Sequence, residues 1–280
     1  MSNYQSVVKS NTRLLIITHA SKNVSEQGLK DPLLYPGAPH TDLLEKVLNN
    51  LEQRLNLVDA VISFDHKIDC PISRSYFDNL RNFCSNRGIR LVLSPSSLLM
   101  SNQLTATSAF KRGIDAIDSD YVLFFEHDHL FRSDLDWQIV DRAFNGGAQM
   151  LRFNRRVNQS DPNSIEVIRP CTFMQEICET NKYCNGPFLA KTRFCAELFE
   201  LGSQQVPTWN GMFGGFVEGP VGRQMIADEF NMGYDKFREK YPIYLYGPIN
   251  AAPLIDHFGD FPGRRARWAR HLKRLLRSYW

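Results

Sequence analysis

Residues 108–131, SAFKRGIDAIDSDYVLFFEHDHLF, decide how this chain folds. The first half continues a helix predicted over residues 105–117, with Gly113 its one weak position. The second half is an apolar strand over residues 121–125 that runs into Glu126, His127, Asp128 and His129. A strand with no polar alternation is buried on both faces, so helices must cover both sides of its sheet. The same unit recurs upstream. RLLIITHA (residues 13–20) is a first strand, and GLKDPLLYPGAPH (28–40) is a loop. From Thr41, a candidate N-cap, residues Leu43, Leu44, Val47, Leu48, Leu51 and Leu55 fall on one helical face. DAVISF (59–64) is a second strand, residues 76–87 form a helix closing at Gly88, and IRLVL (89–93) is a third strand. Helices alternating with buried strands predict an α/β fold with a mostly parallel sheet.

Beyond residue 150 the rhythm weakens. Strands are expected at 150–153 and 182–189, a helix at 191–201 and a glycine-rich loop at 209–222. No repeat and no long linker interrupts the chain, so residues 1–262 are expected to form one domain. Residues 12–150 would be its ligand-binding half, and residues 150–262 its second half.

The 280 residues supply enough chain for a substantial core, and 43% apolar with 22% charged residues excludes wholesale disorder. No window approaches the roughly 18 to 20 apolar residues of a membrane-spanning helix. The first eleven residues, MSNYQSVVKSN, lack the apolar core of a secretory signal. Six cysteines without a CxxC pair argue against a zinc ribbon and read as reduced thiols, so the expected setting is cytoplasmic. Residues 263–280 hold seven Lys and Arg and no acid; setting those seven aside turns the net charge of +3 into −4. A basic stripe confined to one tail does not suit a nucleic-acid partner.

In open α/β sheets ligands bind at the carboxyl ends of the strands, where the strand order switches. The residues to watch are therefore Thr18, His19, Asp65, Ser94 and the run 126–129. Glu126 and Asp128, spaced i, i+2, point to one side of the chain. Two hard oxygen ligands suit Mg²⁺ or Mn²⁺ with positions left open for phosphate oxygens. The alternative is a solvated strand end with no ligand.

RLLIITHA, DAVISFD, the 108–131 stretch and GPFLAKTRFCAELFELG (186–202) together resemble the nucleotide-sugar glycosyltransferases of the GT-A fold, especially family-2-like ones. The resemblance implies a GT-A-like, Rossmann-type sheet and a metal-dependent transfer of sugar from a nucleotide-diphosphate donor to a glycan or lipid-linked glycan. Glu126-His127-Asp128 takes the place of that family's Asp-x-Asp motif, with Glu126 a departure from the usual first aspartate. Asp128 matches the direct metal ligand, and Glu126 is left to the metal or to the donor's ribose. His257, in APLIDHFG (252–259), is implied as a further ligand, with His127, His129 and Asp256 as alternatives. Asp65 and the backbone after the first strand, at Thr18 and His19, are implied to hold the nucleotide. Lys111 and Arg112 stand where the family often has Arg-Asn one position earlier. They face either a pyrophosphate or solvent.

An inverting transferase needs a base for the acceptor hydroxyl. The resemblance points to Glu218, after the glycine-rich stretch and before Pro220, with a first-turn partner of the helix dipole as its alternative role. Trp209 and Phe213 are candidates for stacking on acceptor sugars. The tail, 263–280, reads as a basic amphipathic helix with Trp268, Leu272, Leu275, Leu276 and Tyr279 on one face. It is suited either to an anionic membrane surface or to docking on the catalytic domain. Rival readings are a retaining transferase, a metal-dependent phosphoesterase and a non-catalytic carbohydrate-binding protein.

Overall fold

The computed structural model describes residues 5–19, 41–96, 102–160, 166–184, 186–203 and 218–257; the side chains of residues 71, 72, 102–105, 202, 203, 218 and 257 are outside that description. Nine strands form one sheet, β1 (Thr12–His19), β2 (Ala60–Lys67), β3 (Arg90–Ser96), β4 (Tyr121–Glu126), β6 (Met150–Arg152), β7 (Ile168–Pro170), β8 (Ile177–Thr180), β9 (Phe188–Lys191) and β10 (Ile243–Tyr246). A separate antiparallel pair joins β5 (His129–Phe131) to β11 (Ile255–His257). The order in the large sheet is β3-β2-β1-β4-β9-β6-β10-β8-β7, with only β9 and β8 running against the rest. The chain steps outward from β1 to β2 and β3, then returns to place β4 on the other side of β1. That reversal opens a crevice at the carboxyl ends of β1 and β4.

The helices are α1 (Val7–Ser10), α2 (Asp42–Leu55), α3 (Pro71–Arg87), α4 (Asn102–Asp115), α5 (Trp137–Asn145), α6 (Thr192–Ser203), α7 (Glu218–Met232) and α8 (Tyr234–Lys240). Alternate residues of β1 feed two separate cores, as strand geometry requires. Leu14 and Ile16 join Val47 and Leu51 of α2, Leu80 of α3 and Phe144 of α5. Leu15 and Ile17 join Phe110, Cys195, Met225 and Phe237 from α4, α6, α7 and α8. The fold is an α/β sheet with helices on both faces, as the sequence predicts.

Gly113 has a definite task in this packing. A Cβ there would stand 2.5 Å from Leu15 Cδ1 and 3.2 Å from Ser63 Cβ, so glycine lets α4 lie directly on β1 and β2. The Ser63 hydroxyl also donates to the Ala109 carbonyl at 2.6 Å, tying helix to strand at the same place. Gly88 ends α3 in the left-handed region at φ 64°, matching the expected helix stop.

Several boundaries differ from expectation. Helix α3 starts at Pro71, whose missing N–H costs nothing in a first turn. Thr41 does precede α2, but its side chain makes no capping bond; its carbonyl accepts from Glu45 N. The strand expected over 182–189 is the shorter β9, with β8 before it, because β8 ends at Thr180 and β9 begins only at Phe188. The expected loop 209–222 gives way to α7 from Glu218. Helix α5 is not among the elements expected from the sequence. Asp136 caps it by accepting from Gln138 N at 2.9 Å, and Val140, Ala143 and Phe144 belong to its buried face.

Candidate metal and nucleotide site

The end of β4 is held in place from both sides. His127 N donates to Ile17 O on β1 at 3.3 Å, fixing the turn that follows the strand. Asn50 of α2 clamps β5: its carbonyl oxygen accepts from Phe131 N at 2.7 Å and its amide donates to Phe131 O at 3.1 Å. On the far side, Asn154 binds the start of β11 through Leu254 N. These contacts set the register of β5 and β11, which places His257 opposite His129, Asp256 opposite Leu130 and Ile255 opposite Phe131.

Glu126, Asp128 and His129 converge here, each offering a ligand atom within 4.8 Å of the others. His129 is fully buried, with Nδ1 3.1 Å from Asp128 Oδ1 and 3.6 Å from Glu126 Oε2. Asp128 is partly buried and Glu126 more open, so the cluster faces the crevice with its carboxylates outward. Two carboxylates and an imidazole fit a divalent transition ion such as Mn²⁺ better than Mg²⁺, which prefers an all-oxygen shell. Among the alternatives open in the sequence, His129 joins the cluster and His127 does not. His127 instead meets the His19 ring edge-on, centroids 5.0 Å apart. Asp256 faces Leu130 in the β5–β11 pair and is bonded by Arg132 at 2.7 Å. The His257 side chain is outside the described part.

The β1 and β2 ends are more enclosed than a free binding edge. Thr18 is buried with its hydroxyl 2.8 Å from Tyr76 OH. Burial pushes the Tyr76 phenol up to about 12. Burial, reinforced by neighbouring His127 and partly opposed by Asp128, pulls His19 down to about 4, so it is neutral near pH 7. Asp65 is buried, accepts from the Ser96 hydroxyl at 2.9 Å and lies 3.7 Å from the equally buried Lys67 ammonium. The expected carboxylate at the end of β2 is thus half of an ion pair. Sequence reasoning misses Lys67, because it reads there as an ordinary solvated lysine.

Lys111 and Arg112 lie on α4, which packs over β1, β2 and β3. Helix α4 runs back along the sheet, with Ser108 beside Ser94 at the carboxyl edge and Ala116 bonded by Arg90 at the amino edge. The Lys111 ammonium points toward that amino edge and binds Asp115 at 2.9 Å. Arg112 is exposed beside Leu93 O at 3.4 Å. In this structure both side chains are engaged on the helix surface, Lys111 by Asp115 and Arg112 by the Leu93 carbonyl. Trp209, Phe213 and the tail 263–280 lie outside the described residues, as does the side chain of Glu218, whose backbone opens α7. All six cysteines are free thiols. Among the described residues no helix is long and apolar enough to cross a membrane.

A sheet with this strand order and crevice belongs to the Rossmann-like α/β class. A nucleoside-diphosphate-sugar pyrophosphorylase from Vibrio cholerae superposes with a TM-score of 0.50 at 12% identity, over 91% of this chain and 99% of that one. A Bacillus anthracis protein assigned as a glucose-1-phosphate thymidylyltransferase, solved with sucrose, gives 0.46 at 12% identity over 91% and 93%. A 4-diphosphocytidyl-2C-methyl-D-erythritol synthase from Anaerococcus prevotii gives 0.42 at 11% identity over 89% and 93%. At 12% identity the likeness to the Vibrio cholerae protein is one of fold. No protein-family model matches the sequence, and neither does any curated protein.

Proposed function

We propose that this protein is a metal-dependent glycosyltransferase that moves a sugar from a nucleotide-diphosphate donor to a glycan acceptor with inversion. The observation that carries the reading is the convergence of Glu126, Asp128 and His129 at the carboxyl end of β4, in the crevice between β1 and β4. Glu126, Asp128 and His129 would hold Mn²⁺ or Mg²⁺, and the register of β11 supports His257 as a further ligand. A bound ion supplies charge neutralisation for the departing diphosphate. Glu218 takes the proton of the acceptor hydroxyl as its oxygen attacks the anomeric carbon. The bond from that carbon to the diphosphate breaks, and its electron pair leaves with the nucleotide.

Nucleotidyl transfer is the second reading, favoured by the fold likeness to the Vibrio cholerae pyrophosphorylase across 99% of that chain. In that chemistry a sugar phosphate attacks a nucleoside triphosphate and pyrophosphate leaves. The experiment incubates the full chain with a panel of nucleotide sugars and Mn²⁺, and separately with sugar 1-phosphates and nucleoside triphosphates. Release of nucleoside diphosphate in the first series supports sugar transfer; pyrophosphate in the second alone overturns it. In the first series Glu218→Gln should lower the rate by about 10²- to 10⁴-fold, the usual worth of a positioned base. Retention of the donor's anomeric configuration would overturn the inverting mechanism.

A further inference from the structure

One cleft lies outside the metal cluster, between the segment that follows β8 and the first turns of α7. It has a volume of about 280 Å³ and is lined by Asn181, Lys182 and Tyr183 of that segment and by Gly219, Gly222, Arg223 and Ile226 of α7. On its α7 side the cleft passes two glycines one turn apart. Neither adopts a positive φ, and a Cβ on Gly222 would meet nothing within 4 Å. One on Gly219 would meet only Arg223 Nη1, at 3.6 Å. Packing therefore does not require glycine at either position, in contrast to Gly113, whose Cβ would strike Leu15. Glycine inside a helix costs up to about 1 kcal/mol relative to alanine. Gly222, inside the helix, bears this cost, and its missing side chain leaves the backbone there open to something that enters the cleft.

The walls show what that something is. Most of the surface is carbon, from Ile226, Tyr183, the bare helix backbone and the stems of the two cations. The Arg223 guanidinium lies near Gly219, its Nη1 3.6 Å from where a Cβ would stand, and Lys182 also lines the cleft. Neither forms an ion pair among the described residues. Glu166, whose carboxylate feels the Lys182 charge, is already bonded by Arg152 at 2.7 Å and by Thr180 at 2.9 Å. The cleft begins one residue after Glu218, so it adjoins the position assigned to the base.

We propose that this cleft is an acceptor subsite for a sugar unit bearing an anionic group, a carboxylate or a phosphate. The ring carbons lie against Ile226, Tyr183 and the backbone at Gly222, and the anion sits between Lys182 and Arg223. The assignment rests on the transferase reading, which puts the acceptor beside Glu218. The probes are glucuronate, glucose 6-phosphate and glucose, titrated into the full chain by ligand-observed NMR. The two anionic sugars should bind at least about tenfold more tightly than glucose, the worth of a charge-assisted hydrogen bond. Their affinity should fall with added salt, and the tighter of the two identifies the anion.

Arg223→Gln should remove that preference without altering glucose binding. Gly222→Leu should exclude all three sugars, with the urea midpoint of each variant confirming that it folds. Equal affinity for glucose and the anionic sugars, binding that survives Arg223→Gln, or no binding of either anionic sugar overturns the subsite. Mn²⁺-dependent release of nucleoside diphosphate from donor alone, measured on the unaltered chain, separates the two claims. If that release occurs and the subsite tests fail, only the subsite falls; if it is absent, the transferase reading falls with it.

Discussion

Replacing Asn50 with alanine tests how the metal cluster is held. The Asn50 side chain makes two hydrogen bonds to one residue, accepting from Phe131 N at 2.7 Å and donating to Phe131 O at 3.1 Å. Phe131 is buried, so both backbone groups lose their partner when the amide is removed. At a net value of about 1 kcal/mol each the loss is about 2 kcal/mol. Alanine returns up to about 0.7 kcal/mol through its better helix propensity in α2. The expected net destabilisation is about 1.5 kcal/mol, a fall in Tm of about 3 to 6 °C for a chain of this size. Urea unfolding should show a lower midpoint with an unchanged slope. Because β5 also carries His129, Mn²⁺ affinity should drop by about tenfold, the usual cost of losing a contact that orients a ligand. A variant with wild-type stability and wild-type Mn²⁺ affinity would refute the clamp. Loss of stability with intact Mn²⁺ binding would show that the cluster is held independently of α2.

Other outcomes follow from the packing and charge of the fold. Gly113→Ala should destabilise despite alanine's helix preference of about 1 kcal/mol, since overpacking against Leu15 costs about 1 to 3 kcal/mol; a raised urea midpoint would contradict the close approach. Burial works to raise the Glu166 pKa, but the Arg152 charge and hydrogen bonds from Arg152 and Thr180 prevail and lower it. A depressed carboxylate stabilises the fold above its unfolded pKa of about 4.3 and loses that contribution as pH falls through its folded value. The stability difference between wild type and Glu166→Gln should therefore be full near pH 6 and shrink below about pH 4.3; a difference that grows toward acid would contradict the pairing. For the tail, full-length protein should sediment with anionic liposomes and partly release at high salt, whereas a chain ending at residue 261 should not sediment. Sedimentation that is indifferent to salt and truncation would remove the membrane role.

The parts of the fold legible in the sequence are those where local pattern and tertiary burial agree. Strands β1 to β4 are continuous apolar runs between clear helix stops such as Gly88, so their existence and parallel pairing can be read directly. The later strands are three or four residues long, too short for a period to register, and their order depends on pairing with distant partners. Glu126 and Asp128 stand out because they end an apolar strand. His129 is legible only as one of several alternatives, and its burial beside the two carboxylates is what separates it from His127. Asp65 is visible as an acid at a strand end, but its engagement by Lys67 and Ser96 is not, because an ion pair buried on one strand face looks like two ordinary charges in a sequence. The place of Lys111 on α4 is legible, but the direction of its side chain is not, since it depends on the pairing with Asp115 one turn on.

The central claim is that Asp128, with Glu126 and His129, binds a divalent ion in the crevice. Electron paramagnetic resonance of free Mn²⁺, titrated against the full chain and against Asp128→Asn, tests it most directly. The wild-type chain should take up one Mn²⁺. The variant, with an unchanged urea midpoint, should bind it at least about tenfold more weakly. Equal uptake by the two proteins, or none by the wild type, would contradict the account.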